Sequence, residues 1–190
     1  MKIRPPYIEH MSSAELVTAD QLQALRIPDK RTELVKGRLV VREPAGYRHG
    51  EVAASLTRIL GTFVYARRLG SVLAAETGFK LATDPDTVRA PDVGFIHRDR
   101  IPSPPPVGYP AFAPDLAVEV LSPDDRAGEV LAKVADWLSA GCRVVWVVDT
   151  VHRTARVYRA DGSESLFAED DALDGEDVLP GFSCRLAEVL

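Results

Sequence analysis

The sequence predicts an α/β domain in which a mixed sheet is flanked by helices, with a core running helix, three strands, helix, strand. Three observations carry this. Between His49 and Leu69, the apolar residues Val52, Leu56, Ile59, Leu60, Phe63 and Val64 recur at helical spacing. Three β-rich segments follow: SVLAAETGFKL at 71–81, VRAPDVGFIH at 88–97 and DLAVEVL at 115–121. A second helical stretch then leads into RVVWVVD at 143–149, whose apolar run fits a central strand covered on both faces. A doubly wound fold would alternate strand and helix throughout, and this chain does not. Its 190 residues suffice for one domain spanning 1–190, with the core at about 49–150.

In chain order, residues 1–12 read as loose. Ser12 or Ser13 is expected to cap a short helix carrying Leu16, Leu22 and Leu25. Pro28-Asp29-Lys30 ends it. ELVKGRLVV at 33–41 reads as two short strands about Lys36-Gly37. Residues 43–46 turn the chain into the long helix, which Gly70 is expected to close at C′. Asp84-Pro85-Asp86 separates the first two β segments, and the proline-rich 102–110 forms a surface loop before the third. Ser122-Pro123-Asp124-Asp125 reads as a helix start, with Ser122 as N-cap and Asp125 at N3. Gly141 ends that helix near Ala140. Shorter strands are expected near 155–158, 165–167 and 182–186.

Composition excludes some classes. With 46% hydrophobic and 27% charged residues the chain is ordinary globular protein. No apolar run reaches the roughly 18–20 residues of a membrane helix, and MKIRPPY lacks a signal-peptide apolar region, so a cytoplasmic setting is expected. Cys142 and Cys184 have no zinc-like spacing and read as packing residues. A net charge of −5 argues against a broadly basic nucleic-acid footprint. A metal-dependent nuclease would instead need a carboxylate cluster whose cation reverses the local sign. Arg67-Arg68, Lys80 and the His97, Arg98, Arg100 stretch are candidates for a locally basic groove.

Three residues stand out chemically. Glu119 lies inside the apolar LAVEVL, where an ionised carboxylate is costly unless paired or bound to a metal. Asp92 begins an apolar strand in Ala-Pro-Asp-Val, and consecutive strands are often neighbours. Two adjacent carboxylates repel, and a divalent cation such as Mg²⁺, or Mn²⁺, relieves them. Lys133 lies on the next helix, with Glu129, Asp136 and Trp137 near one face and Val130, Val134 and Leu138 near another. Each residue alone has an ordinary structural reading as turn, edge or solvated side chain; the combination carries the argument. Glu76 and Lys80 alternate with apolar neighbours and share one face of their expected strand.

PDVGFI, PDLAVEVLSP, the helix bearing Lys133 and AGCRVVWVVD together resemble the Uma family of the PD-(D/E)xK restriction-endonuclease-like superfamily; ELVKGRLV and His49 fit as well. The resemblance spans roughly 15–190. It implies a restriction-endonuclease-like αβββαβ core and Mg²⁺-dependent cleavage of nucleic acid. It maps the acidic metal ligands onto Asp92 and Glu119 and a further acidic residue onto Glu33. Much of the superfamily has a lysine two residues after the glutamate; here Leu121 stands there, and in this family the following helix supplies it, as Lys133. His49 is a further candidate, with an alternative reading as a helix-start residue.

The expected function is therefore an endonuclease hydrolysing phosphodiester bonds of DNA, with Mg²⁺ on Asp92 and Glu119 and with Lys133 orienting water or stabilising charge. The alternatives are an inactive nucleic-acid- or protein-binding module of the same fold, and a hydrolase of another phosphoester. A homodimer would supply two sites for two strands.

Overall fold

The computed structural model describes residues 16–25 and 27–190. The expected loose start and the capping serines, Ser12 and Ser13, lie outside them. The first helix, α1 (Ala19–Ala24), is instead capped by Thr18, whose hydroxyl accepts from Gln21 N while the Gln21 side chain accepts from Thr18 N. The hairpin β1 (Arg31–Val35) and β2 (Arg38–Arg42) turns at Lys36-Gly37 as expected, with both turn residues at positive φ. Then come α2 (Tyr47–Arg67), β3 (Gly70–Ala74), β4 (Phe79–Ala82), β5 (Thr87–Arg89), β6 (Val93–His97), β7 (Leu116–Leu121), α3 (Ala127–Ser139) and β8 (Val144–Asp149). The chain ends with β9 (Thr154–Arg159), β10 (Glu164–Ala168), β11 (Ala172–Asp174) and β12 (Ser183–Arg185).

The strands form two main sheets. One has the order β10-β9-β8-β7-β6-β3; the other is β2-β1-β5-β4, and β11-β12 make a small ribbon. In the six-stranded sheet only β7 and β8 pair in parallel, and α3 makes the crossover between them. The sheet is mixed and flanked by helices, as the pattern predicts.

Two expected strands prove to be four. The 71–81 segment breaks at a turn containing Glu76 at φ 69, so β3 and β4 go to different sheets. The 88–97 segment breaks at Ala90-Pro91, where proline has no N–H to give a ladder, and β5 and β6 also part. Asp92 sits at this break, between the two sheets.

Helix ends also differ. α2 closes on Arg68 in the left-handed region (φ 54), not on Gly70, which opens β3. A Cβ at Gly70 would come within 2.0 Å of the Ile96 carbonyl oxygen, so close strand contact keeps that position bare. Ser122 is not the cap of α3. It closes a turn whose N–H and hydroxyl both reach Asp125 Oδ2, at 2.8 and 2.9 Å, and α3 starts after Arg126.

Strand alternation sorts the core into two faces. Leu116, Val118 and Val120, with Val144, Trp146 and Val148, pack under α2 through Val52, Leu56, Leu60 and Val64. Ala117, Val145 and Val147 pack on the other side with Val134 and Trp137 of α3. Glu119 follows Ala117 on the α3 side, which decides what can reach it. Both cysteines are free and buried, and burial pushes the Cys142 thiol up to about 12.

Candidate active site

The five sequence-predicted site residues converge. Glu33, His49, Asp92, Glu119 and Lys133 all line one cavity of about 140 Å³ at the junction of the two main sheets. All of them except Lys133, whose side chain is 18% exposed, are buried.

Asp92 and Glu119 are placed by strand register. Val93 pairs with Val118 in antiparallel β6–β7, and one more step of that register sets Asp92 against Glu119. Asp92 N donates to Val118 O at 2.9 Å, and Val120 N donates back to Asp92 Oδ2 at 2.8 Å. Oδ2 also lies 3.1 Å from His49 Nε2 on the first turn of α2, and Oδ1 lies 3.7 Å from Arg31.

Glu119 is gripped from α3. Lys133 Nζ donates to Oε2 at 2.9 Å and Trp137 Nε1 donates to Oε1 at 2.8 Å. The spacing of four between Lys133 and Trp137 stacks them on one helix face, toward the sheet. Asp136 on the same helix takes Arg89 Nε and Nη2 at 2.8 and 2.7 Å. Arg89, only 4% exposed, holds Glu33 Oε2 with Nη1 at 3.1 Å. Glu33 Oε1 accepts from Ala90 N at 3.1 Å and lies 3.6 Å from Lys133. A continuous charged chain thus runs Asp136, Arg89, Glu33, Lys133, Glu119.

The electrostatics follow from burial and these partners. Burial lifts the Glu119 carboxyl above its ordinary 4.5, with Asp92 and Glu33 adding to the lift against the pull of Lys133. Glu33 goes the other way: burial alone would raise it, but Lys133, Arg89 and the Ala90 N–H together hold it below 4.5. Burial disfavours the Lys133 ammonium, yet Glu119 and Glu33 outweigh burial and push it above its ordinary 10.5. In this arrangement Lys133 is held as an ammonium that donates to Glu119.

Other expectations fare differently. Lys80 pairs with Asp86 at 3.0 Å, and Arg100 with Asp115 at 2.9 Å. Arg67 lies over the Phe63 ring at 3.9 Å. None of these candidate groove residues lines the cavity. Glu76 does line it, but from the turn after β3, so it no longer shares a strand face with Lys80. The cavity cations that sequence reading missed are Lys30, Arg31 and Arg42. Arg89 and Trp137, which set Glu33 and Glu119, were also missed as site residues. The hairpin's symmetry about Lys36-Gly37 was the available signal for the two arginines.

Metal fit rests on the donors. Two buried carboxylates, Glu119 on β7 and Asp92 just before β6, with Asp92 Oδ1 held among the described residues by the long Arg31 contact, suit a hard cation that keeps several waters. Among the described residues no group of three His, Cys, Asp or Glu is arranged to hold a metal ion, so water or substrate oxygens would complete any shell. No helix among them is long and apolar enough to cross a membrane.

Comparison with known proteins agrees with this architecture. The crystal structure of a "putative nuclease belonging to DUF820" from Anabaena variabilis superposes with a TM-score of 0.79 at 20% identity, over 91% of this chain and 97% of that one. At that identity the likeness establishes a shared fold and nothing further. A search of curated proteins matched none. The profile of the Uma2 family, described as "Putative restriction endonuclease", matches residues 19–187, and the chain belongs to that family.

Proposed function

We propose that this chain is a single-domain, divalent-metal-dependent endonuclease that hydrolyses phosphodiester bonds of DNA. The observation that carries the reading is the buried Asp92–Glu119 pair with Lys133 bonded to Glu119 at 2.9 Å. Such a group has no packing value of its own; buried ion pairs are weak contributors to stability, and perturbed carboxylates in a cleft favour function. Nuclease chemistry is supported by the description of the family and by that of the Anabaena protein.

Asp92 and Glu119 would hold Mg²⁺ or Mn²⁺, which when bound polarises the phosphate and acidifies water. The chain's own residues supply the rest. His49 and Val120 N fix the Asp92 carboxylate from two sides. Trp137 fixes Glu119, which together with Glu33 sets the direction of the Lys133 ammonium. Lys133, held protonated, offers hydrogen bonds to an attacking water and to the oxygens of the phosphate as charge builds there. Water adds to phosphorus and releases a proton to solvent, the bond to one ester oxygen breaks, and that oxygen leaves with a proton drawn from solvent.

Incubation of the protein with plasmid and single-stranded DNA, with Mg²⁺ or with chelator, tests this. Metal-dependent cleavage is expected, with Asp92→Asn, Glu119→Gln and Lys133→Met each reducing the rate by about 100-fold or more. Full activity in an Asp92→Ala/Glu119→Ala protein overturns it.

A further inference from the structure

We propose that Arg31 and Arg42 form a two-guanidinium clamp for a backbone phosphate of the substrate, set on the hairpin wall of the site. The proposal rests on the nuclease reading and adds which part of the substrate is gripped and by what.

Three observations converge. Arg31 and Arg42 are direct cross-strand partners in β1–β2, so their Cβ atoms lie about 5 Å apart on one face of the hairpin. Like charges facing across a ladder are destabilising unless something anionic lies between them. Both side chains line the cavity that holds Asp92, Glu119 and Lys133.

Their present partners leave capacity unused. Arg31 makes a 3.7 Å contact to Asp92 Oδ1 and a 3.4 Å bond from Nε to Glu43 O. Arg42 reaches Asp125 at 3.5 Å and Glu129 at 3.0 Å. Its Nε is buried with no hydrogen-bond partner, and among the described residues only Trp146 Nε1 shares that condition. A buried guanidinium N–H without a partner is costly. A phosphate oxygen entering between the two arginines would relieve the facing charges. Guanidinium forks match phosphate geometry in a way that an ammonium does not. A cation arriving at Asp92 would repel Arg31 from its carboxylate, freeing it for the phosphate.

This grip reads backbone and not bases, so affinity should be salt-dependent and nearly indifferent to sequence. The test uses the full chain carrying Glu119→Gln, with Mg²⁺ present, and fluorescence anisotropy of a labelled DNA duplex and single strand across a KCl series. Arg31→Gln and Arg42→Gln should each weaken binding about tenfold and flatten the plot of log affinity against log salt by about one. Arg31→Lys and Arg42→Lys should keep the slope while losing part of the affinity, and Arg185→Gln on the small ribbon should change neither. Parental affinity and slope in both glutamine variants overturn the clamp, as does failure of the parent to bind either DNA. The two readings separate cleanly. Cleavage by the unmodified protein with arginine-independent binding sinks the clamp alone. Arginine-dependent binding without any cleavage sinks the enzyme reading alone.

Discussion

At the scale of the residue, the two tryptophans show how one side-chain type serves opposite ends. Both are essentially inaccessible, Trp137 on the α3 face and Trp146 on the α2 face. Trp137 spends its N–H on Glu119, whereas Trp146 Nε1 has no partner. Trp137→Phe would therefore strip a donor from a buried carboxylate, at about 2–3 kcal/mol. Trp146→Phe removes an unsatisfied donor and some volume, effects that oppose each other, and should cost about 1 kcal/mol or less. Urea denaturation of the two variants measures the difference; equal losses would refute it. Arg89 gives a second contrast. It is a buried cation with anions on both sides, so Arg89→Leu leaves Glu33 and Asp136 facing each other and should cost about 3 kcal/mol or more.

At the scale of the element, α1 is too short to persist by itself and is tied down from elsewhere. Asp86 Oδ2 accepts from Ala19 N at 2.7 Å, and Oδ1 meets Lys80 at 3.0 Å. Burial would raise this carboxyl, but the Ala19 N–H and Lys80 hold it below its ordinary 3.8. A depressed folded-state value means that the stabilisation is present above 3.8 and is lost as pH falls through the lower folded value. Asp86→Asn keeps an acceptor for Ala19 but not the charge. Its melting temperature should lie below that of the parent at neutral pH, and the gap should narrow as pH drops below 3.8. A gap that is flat with pH would assign the tie to hydrogen bonding alone. Elements were the most legible part of the sequence. The long helix, the Lys36-Gly37 hairpin and the apolar β8 each announced themselves by period or turn chemistry. The two broken strands did not, because Glu76 and Pro91 interrupt segments whose flanks keep a strand-like composition.

At the scale of the whole molecule, the site spans two sheets and two helices, so its geometry depends on their mutual packing. Glu33 comes from the β1 sheet, Asp92 from the break between sheets, Glu119 from β7, His49 from α2 and Lys133 from α3. If the chain is one cooperative unit, Trp137 and Trp146 should report the same transition from opposite faces of the six-stranded sheet. Followed by fluorescence in single-tryptophan proteins, and in each case against circular dichroism of the same protein, the two probes should give coincident urea midpoints. Separate midpoints within one variant would divide the chain into independently stable parts.

Fold class, the candidate acids and the candidate lysine were all legible in the bare chain. Hydrophobic period is a local property, and an ionisable residue in an apolar strand is conspicuous wherever that strand goes. That Asp92 and Glu119 would be neighbours with Lys133 in reach was expected from the order of the elements; the contacts that hold them came from the folded arrangement. Register set Asp92 against Glu119, the face of β7 chose Lys133 and Trp137 as partners, and hairpin placement brought Arg31 and Arg42 to the cavity. Spacing can show which residues share a turn or a helix face, but not which cavity they reach, because that depends on how segments distant in the chain pair and pack.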